Sequence, residues 1–317
     1  MKSDSQENPC FGVDVGSEHL DIAVFGSHEV KRIANEAKAI RKWLDAVPLN
    51  SRLALESTGS YHLTLATLAH ARGVAVYLLN PRDIKHYAQS LGQRGKTDRL
   101  DARVIARFIE REHAQLRTWQ PLSPQQQKLD DLIRQRALLQ KQHAAQKQAL
   151  KHRGGLKETM ADVLKSMQQA LDRLERMIGQ AARELPSGDV SMRSLISIPG
   201  IGTLTAAALL RLFSRAADAS ADAIVALTGL DPRPMDSGNK RGVRRLSKRG
   251  EPEIRRLLYT ASMSGAKTQT WLPYYERERA KKLSSTAALM ALARRILRVA
   301  YSLFKTGQQF DKTRSMA

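Results

Sequence analysis

Four carboxylates stand where carboxylates are costly, and they set the chemistry to look for. Asp14 lies inside the alternating stretch Phe11-Gly12-Val13-Asp14-Val15-Gly16, with Phe11, Val13 and Val15 on one face and Asp14 on the other. Glu56 ends a second short strand, Arg52 to Glu56, ahead of Ser57-Thr58-Gly59. Asp98 and Asp101 open a helical run in which Asp98, Asp101, Ile105 and Phe108 recur at three- and four-residue steps and so share a face. Thr97 or Asp98 is available as its cap. Both helical acids therefore continue an apolar stripe that must face a core. Buried charge is unfavourable unless something offsets it, and gathered carboxylate oxygens suit a hard cation. One or two Mg²⁺ ions holding the oxygens of a phosphodiester displacement give all four acids a common purpose. The competing assignment makes Asp14 a residue on an open side of the sheet and the helical acids caps.

A second constellation is basic. In Arg233-Pro234-Met235-Asp236-Ser237-Gly238-Asn239-Lys240-Arg241-Gly242 a serine lies among cations in a stretch too irregular for plain helix. Ser237 is placed either to attack a phosphorus atom, with arginines stabilising the transition-state charge, or to serve as a turn residue in a phosphate-binding loop. The loop alone leaves both open. Lys240, Arg241, Arg244, Arg245, Lys248 and Arg249 are the residues expected to hold nucleic-acid phosphates. Ser247, a rival serine, reads as a cap for the helix beginning near Pro252. Further upstream, Ile198-Pro199-Gly200-Ile201-Gly202 between two helical runs matches a helix-hairpin-helix. There Gly200 and Gly202 let backbone amides and the helix restarting at Thr203 meet a phosphate.

These residues need scaffolds of two kinds. Up to about residue 120 the chain reads as a hairpin (Phe11 to Gly16 with Leu20 to Phe25), a third strand from His28 to Ile33, then helices alternating with strands at Arg52 to Glu56 and Val74 to Leu79. Asn80-Pro81 closes the last of these. The result is a mixed α/β sheet. From Ser123 to Leu185 strand patterns cease. Leu129, Leu132, Leu139 and Leu150 fall on a heptad seam otherwise occupied by Arg136, His143 and Gln146. After a break at Gly154-Gly155, Leu164, Met167, Leu171, Leu174 and Ile178 keep three-four spacing, which predicts two coiled-coil-like helices folded on each other or pairing between subunits. The remainder is helical. The expected organisation is an α/β domain over residues 1–120, a helical linker over 121–188 and an all-α domain over 189–317.

Composition narrows the partners. The chain has 317 residues, a net charge of +21 and a pI near 10.4. Such an excess points to a polyanion. No apolar run reaches the roughly 18 residues of a membrane helix, so no membrane partner is expected. The polar stretch from Met1 to Pro9 has the character of neither a signal peptide nor an amphipathic anchor. A single cysteine, Cys10, excludes internal disulfides and zinc sites built from several cysteines. None of the eight histidines pairs with another at ligand spacing on a convincing helix face. A cytoplasmic, nucleic-acid-facing protein is the expectation.

Taken in order, the pieces resemble a known family. Gly12-Val13-Asp14-Val15-Gly16, Ala54-Leu55-Glu56-Ser57-Thr58-Gly59, Asn80-Pro81 and Lys96-Thr97-Asp98-Arg99-Leu100-Asp101-Ala102-Arg103 are similar to the DEDD-type insertion-sequence transposases, whose first domain is RNase H-like, as in Holliday-junction resolvases. Ile198 to Gly202, Gly229-Leu230-Asp231-Pro232-Arg233 and Asp236-Ser237-Gly238 resemble their second domain. The resemblance implies that Asp14, Glu56, Asp98 and Asp101 bind Mg²⁺ and that Ser237 is a nucleophile forming a phosphoserine link to DNA. It also implies a structured non-coding bridge RNA that guides donor and target DNA. Dimers to tetramers follow from it, with the acids of one subunit meeting the serine domain of another. Asp236 stands where many relatives carry Glu. Two alternatives stay open: a metal-only nuclease or junction resolvase with water as nucleophile, and a non-catalytic nucleic-acid-binding protein with structural acids.

Overall fold

The computed structural model describes residues 8–57, 59–92, 98–151, 154–234 and 244–311, with the backbone alone at 98–100 and 157. The chain divides into two compact units, Met1–Pro121 and Leu122–Ala317.

The first unit is built on five strands: β1 (Cys10–Val15), β2 (His19–Val24), β3 (Val30–Ala34), β4 (Arg52–Glu56) and β5 (Ala75–Leu79). Their order is β3-β2-β1-β4-β5. The first three pair antiparallel, whereas β4 lies parallel to both β1 and β5. This mixed sheet is compatible with an RNase H-like domain. Its two faces follow from the period-two pattern. Phe11, Val13, Val15, Leu20, Ile22, Leu53 and Leu55 pack on one side with residues of α1 (Ala37–Leu44) and α2 (Leu63–Ala71). Cys10, Ala54, Tyr77 and Leu79 pack on the other with residues of α3 (Pro81–Ser90) and α4 (Asp98–Glu112). Asp14 shares the second face, two residues on from Gly12.

Helix α3 was not expected. Asn80-Pro81 ends β5 as anticipated, but it also starts a helix: the Asn80 side chain accepts from the backbone N–H of Arg82 at 2.9 Å, and Pro81 takes the first helical position. Helix α4 lies where the periodicity puts it. Its buried stripe is Ala102, Ile105, Ala106 and Ile109, so Asp101 and Phe108 flank that stripe, half-buried, rather than lying at its centre.

One glycine sets how closely α4 approaches the sheet. A Cβ at Gly12 would lie 2.1 Å from the backbone nitrogen of Ala106 and 2.3 Å from the carbonyl oxygen of Ala102. The helix backbone therefore rests directly on β1. Ala23, Ala102 and Ala106 complete a contact made of small residues.

The second unit is mainly helical. In order it contains α5 (Pro124–Ala149), α6 (Gly154–Thr159), α7 (Ala161–Arg183), α8 (Gly188–Ile196), α9 (Thr203–Arg215), α10 (Ala221–Thr228), α11 (Pro252–Gly265), α12 (Leu272–Ala280) and α13 (Ser285–Thr306). Ser123 and Gln126 form a reciprocal cap at the start of α5. Helices α5 and α7 pack on one another within the chain. Leu129, Arg136, His143 and Leu150 are buried at seven-residue steps, with Arg136 paired to Glu175 of α7 at 2.5 Å. Gly154-Gly155, expected as a break, instead begins α6.

The segment expected as a separate linker shares its core with the helices C-terminal to it. Leu129, Ile133 and Ile178 join Leu195, Leu209, Phe213, Leu258, Trp271 and Ile296 in one cluster. Asp130 of α5 is locked to α9 by Arg211 at 2.6 Å and Arg215 at 2.8 Å. In place of an irregular loop after α10, a two-stranded sheet forms from β6 (Pro232–Pro234) and β7 (Arg244–Leu246). Among the described residues no helix is long and apolar enough to cross a membrane.

Candidate active site

Asp14, Glu56 and Asp101 line one cavity of about 450 Å³. The sheet accounts for two of them. In the parallel β1–β4 pair Val13 is in register with Leu55. Asp14 and Glu56 are the next residues on each strand, at neighbouring carboxyl ends about 5 Å apart. The helix accounts for the third. With α4 seated on Gly12 through Ala102 and Ala106, Asp101, just before Ala102, lies at the end of the helix that overhangs Asp14. All three are half-buried. Asp98 lies in the first turn of α4 by its backbone, and its side chain falls outside the described residues. The helix N-terminus adds a favourable dipole for acids placed there.

Among the other residues lining the same cavity, which include Glu18 and His19, Asp21 and Arg32 form a pair that was not expected. Asp21 is 4% exposed and stands directly across from Asp14 in the β1–β2 pair. Arg32 of β3 grips it with two hydrogen bonds, Nε to Oδ1 at 2.9 Å and Nη2 to Oδ2 at 2.6 Å. A buried carboxylate opposite another carboxylate needs such a partner. A signal was present in the sequence. Counting outward from the Gly16–His19 turn places Asp14 against Asp21, on the polar side of the alternation.

The all-oxygen donor set suits a hard divalent cation. Among the described residues no group of three or more acidic, histidine or cysteine side chains closes into a ready-made cage. Small hard cations keep several waters and take one or two carboxylates plus substrate phosphates. At the other end of β1, the Cys10 thiol is a poor nucleophile: burial, then a hydrogen bond with Glu110, pushes it up to about 11.

Ser237, Lys240 and Arg241 lie outside the described residues, within the connection between β6 and β7. The base of that connection is well built. Asp231 accepts from the Ser247 hydroxyl and from Arg233 Nε at 2.6 Å, and its carbonyl accepts from the Ser247 backbone N–H at 3.0 Å. Burial pushes the Asp231 carboxyl up, yet these two side-chain donors outweigh it and hold it below the ordinary carboxylate value. Ser247 is thus no helix cap; Glu251 takes the position before α11. Arg244, Arg245, Lys248 and Arg249 are exposed. Behind them the chain is tightly seated, since a Cβ at Gly250 would meet the Leu227 carbonyl oxygen at 2.1 Å.

The Pro-Gly-Ile-Gly turn connects α8 to α9, which restarts at Thr203 as expected. Its two glycines differ. Gly200, with φ of +96°, packs on α11, where a Cβ would meet the Ala261 carbonyl oxygen at 2.4 Å. Gly202 is open, with nothing near its Cβ direction.

Known proteins share these features. Over 282 residues the chain is 29% identical to the "Pilin gene-inverting protein" of Moraxella lacunata, covering 85% of this chain and 86% of that one. Over 319 residues it is 28% identical to the protein of the same name from Moraxella bovis, covering 95% and 97%. It is 26% identical over 292 residues to the "Transposase for insertion sequence element IS1328" of Yersinia enterocolitica, covering 82% and 85%. Residues 11–161, which hold the acids, match a DEDD-type IS110 family model described as transposase. Residues 192–276, which hold the basic hairpin, match the model described as "Transposase IS116/IS110/IS902 family". Each half of the candidate chemistry thus falls inside its own family match, and together these place the chain in the IS110 family of transposases.

Proposed function

We propose that this transposase cuts and rejoins DNA through a covalent phosphoserine intermediate formed by Ser237, with a bridge-type guide RNA selecting donor and target. The observation that carries the reading is the shared cavity of Asp14, Glu56 and Asp101, in a chain whose second family match contains Ser237. Names of the relatives, a gene-inverting protein and an insertion-sequence transposase, favour conservative strand exchange, which inversion and insertion have in common.

On this reading Asp14, Glu56, Asp98 and Asp101 hold the metal. A divalent cation such as Mg²⁺ there supplies Lewis-acid stabilisation of the phosphate oxygens. The chain's residues do the rest. Ser237 Oγ attacks phosphorus, its proton passes to a carboxylate or to solvent, and the bond to the leaving sugar oxygen breaks as that oxygen takes up a proton. The phosphodiester energy is kept in the Oγ–P bond, so a second sugar hydroxyl can attack in turn and release the serine. Lys240, Arg241, Arg244, Arg245, Lys248 and Arg249 position phosphates. The net charge of +21 supports a polyanionic partner of either kind. The acids of one subunit serve the serine of another in a dimer or tetramer, with the α5–α7 region as the proposed contact between copies.

The test is a denaturing gel of cleaved DNA. A strand end covalently linked to protein, absent in Ser237→Ala, is expected. Full-rate cutting by Ser237→Ala, with no linked product, would mean that water is the nucleophile and that the acids act alone.

A further inference from the structure

A second cavity, of about 310 Å³, lies along α4 where the helix passes the β2–β3 turn. Its cationic groups come from α4: Arg103 and Arg107, one turn apart and therefore stacked on one side of the helix, while Ser27 and His28 of the β2–β3 turn add polar groups. Its apolar wall comes from Phe25 in the turn and Leu91 after α3. Phe25 is 44% exposed, an aromatic face kept at the surface beside two guanidinium groups.

The arginines are arranged rather than merely present. Arg103 Nη2 donates to His28 Nδ1 at 2.9 Å, which fixes the guanidinium over the cavity. Among the described residues neither arginine pairs with a carboxylate. A concave site with two anchored or adjacent cations and no anion of its own calls for a ligand anion. The exposed ring beside them adds a platform on which a base stacks. Phosphate and base together make a nucleotide of an unpaired strand, because a duplex keeps its bases stacked and out of reach.

We infer that this pocket binds one to two nucleotides of single-stranded nucleic acid, with phosphates on Arg103 and Arg107 and a base against Phe25. Arg103 and Arg107 lie roughly 3 and 9 Å along the axis from Asp101 but on the other flank of α4, roughly 160° and 120° around it, so the pocket is separate from the acid cavity. The inference deepens the proposed function and rests on it for the purpose of the strand, though not for its binding. The strand is either unwound DNA or an unpaired stretch of the guide, which offer the same phosphate and base chemistry.

Fluorescence anisotropy of the full chain in metal-free buffer tests this, using labelled dT₁₂, rU₁₂ and a 12-bp duplex across a salt series. For Arg103→Gln with Arg107→Gln, the slope of log affinity against log salt on the single strand should shrink by about 0.7 for each phosphate no longer held. Phe25→Ala should weaken single-strand binding roughly fivefold or more with the slope kept. Duplex binding should change in neither variant. Weakening confined to dT₁₂ assigns the pocket to DNA, and weakening confined to rU₁₂ assigns it to RNA. Arg103→Lys with Arg107→Lys keeps the charge and should keep the slope, which separates missing charge from misfolding. Unchanged single-strand binding in both variants, or equal weakening on duplex, overturns the proposal. Since no metal is present and no strand is cut, the outcome is independent of whether Ser237 is the nucleophile.

Discussion

Asp14 and Asp21 face each other across the antiparallel β1–β2 pair, and both line the cavity that also takes in Glu56 and Asp101. The fold tolerates this like-charge pair because Arg32 neutralises Asp21 through both carboxylate oxygens. Asp21 is thus withdrawn from the negative charge around Asp14, although it lies against it.

Arg32→Gln should accordingly destabilise the protein by about 1–3 kcal/mol, since it leaves a buried carboxylate without its charge partner beside a second one. The lower end is the better guide, because the Arg32 side chain is half-exposed. Adding Mg²⁺ should restore part of the stability. Pairing the change with Asp21→Asn should restore more, and thermal unfolding of the two single variants and the double gives the coupling directly. A single variant that melts like the parent would remove the role given to Arg32.

Gly12→Ala should be among the most damaging single-methyl changes in the first unit. The added carbon meets helix backbone, not the yielding end of a side chain, so a cost of about 1–3 kcal/mol or more is expected. Activity should fall further than stability explains, because α4 must lift and carries Asp101 with it. Denaturant unfolding beside a strand-cleavage assay measures both. Equal cleavage at equal folded fraction would show that the acids do not depend on this seat.

Mixing variants tests whether the proposed site is shared between subunits. Asp101→Ala and Ser237→Ala should each fail to join strands alone, and their mixture should recover joining on the same DNA. A mixture as inactive as its components would place acids and serine in one chain.

Acid sensitivity should trace to Asp130. Burial pushes its carboxyl up, but Arg215, Arg211 and Arg134 together hold it below the ordinary 3.8. A folded value below the unfolded one means stability that is complete above about pH 4 and is lost as pH falls through the folded value. Asp130→Asn should cost about 3 kcal/mol at pH 7, because Arg211 is left buried with less to balance it. The variant's stability should also vary less with pH below 4. Urea titrations at pH 7 and pH 3 read both effects.

Much of the first unit was legible because period-two alternation and a positional glycine leave plain marks. Asp14, Glu56 and Asp101 converge on one cavity, as their misplaced charge suggested. Asp21 was harder to see, since its alternation resembles that of any strand with a polar side; only pairing it against Asp14 shows the conflict. Helix α3 was hidden because Asn-Pro both ends strands and starts helices, and local chemistry alone does not separate the two. In the second unit, Arg136 and His143 look like interruptions of a heptad. They are buried in it, because partners such as Glu175 come from elsewhere in the sequence. Ser247 resembles a cap because its true partner, Asp231, is sixteen residues away.

The seat of α4 on Gly12 also limits how this enzyme could be retuned. Where side chains separate a helix from a sheet, trimming or enlarging them slides one past the other in small steps. Here backbone meets backbone, so no such adjustment exists. The interval between the strand acids and the helix acid behaves like a fixed gauge. A redesign for a larger cation or a wider substrate would have to rebuild the strand–helix contact itself.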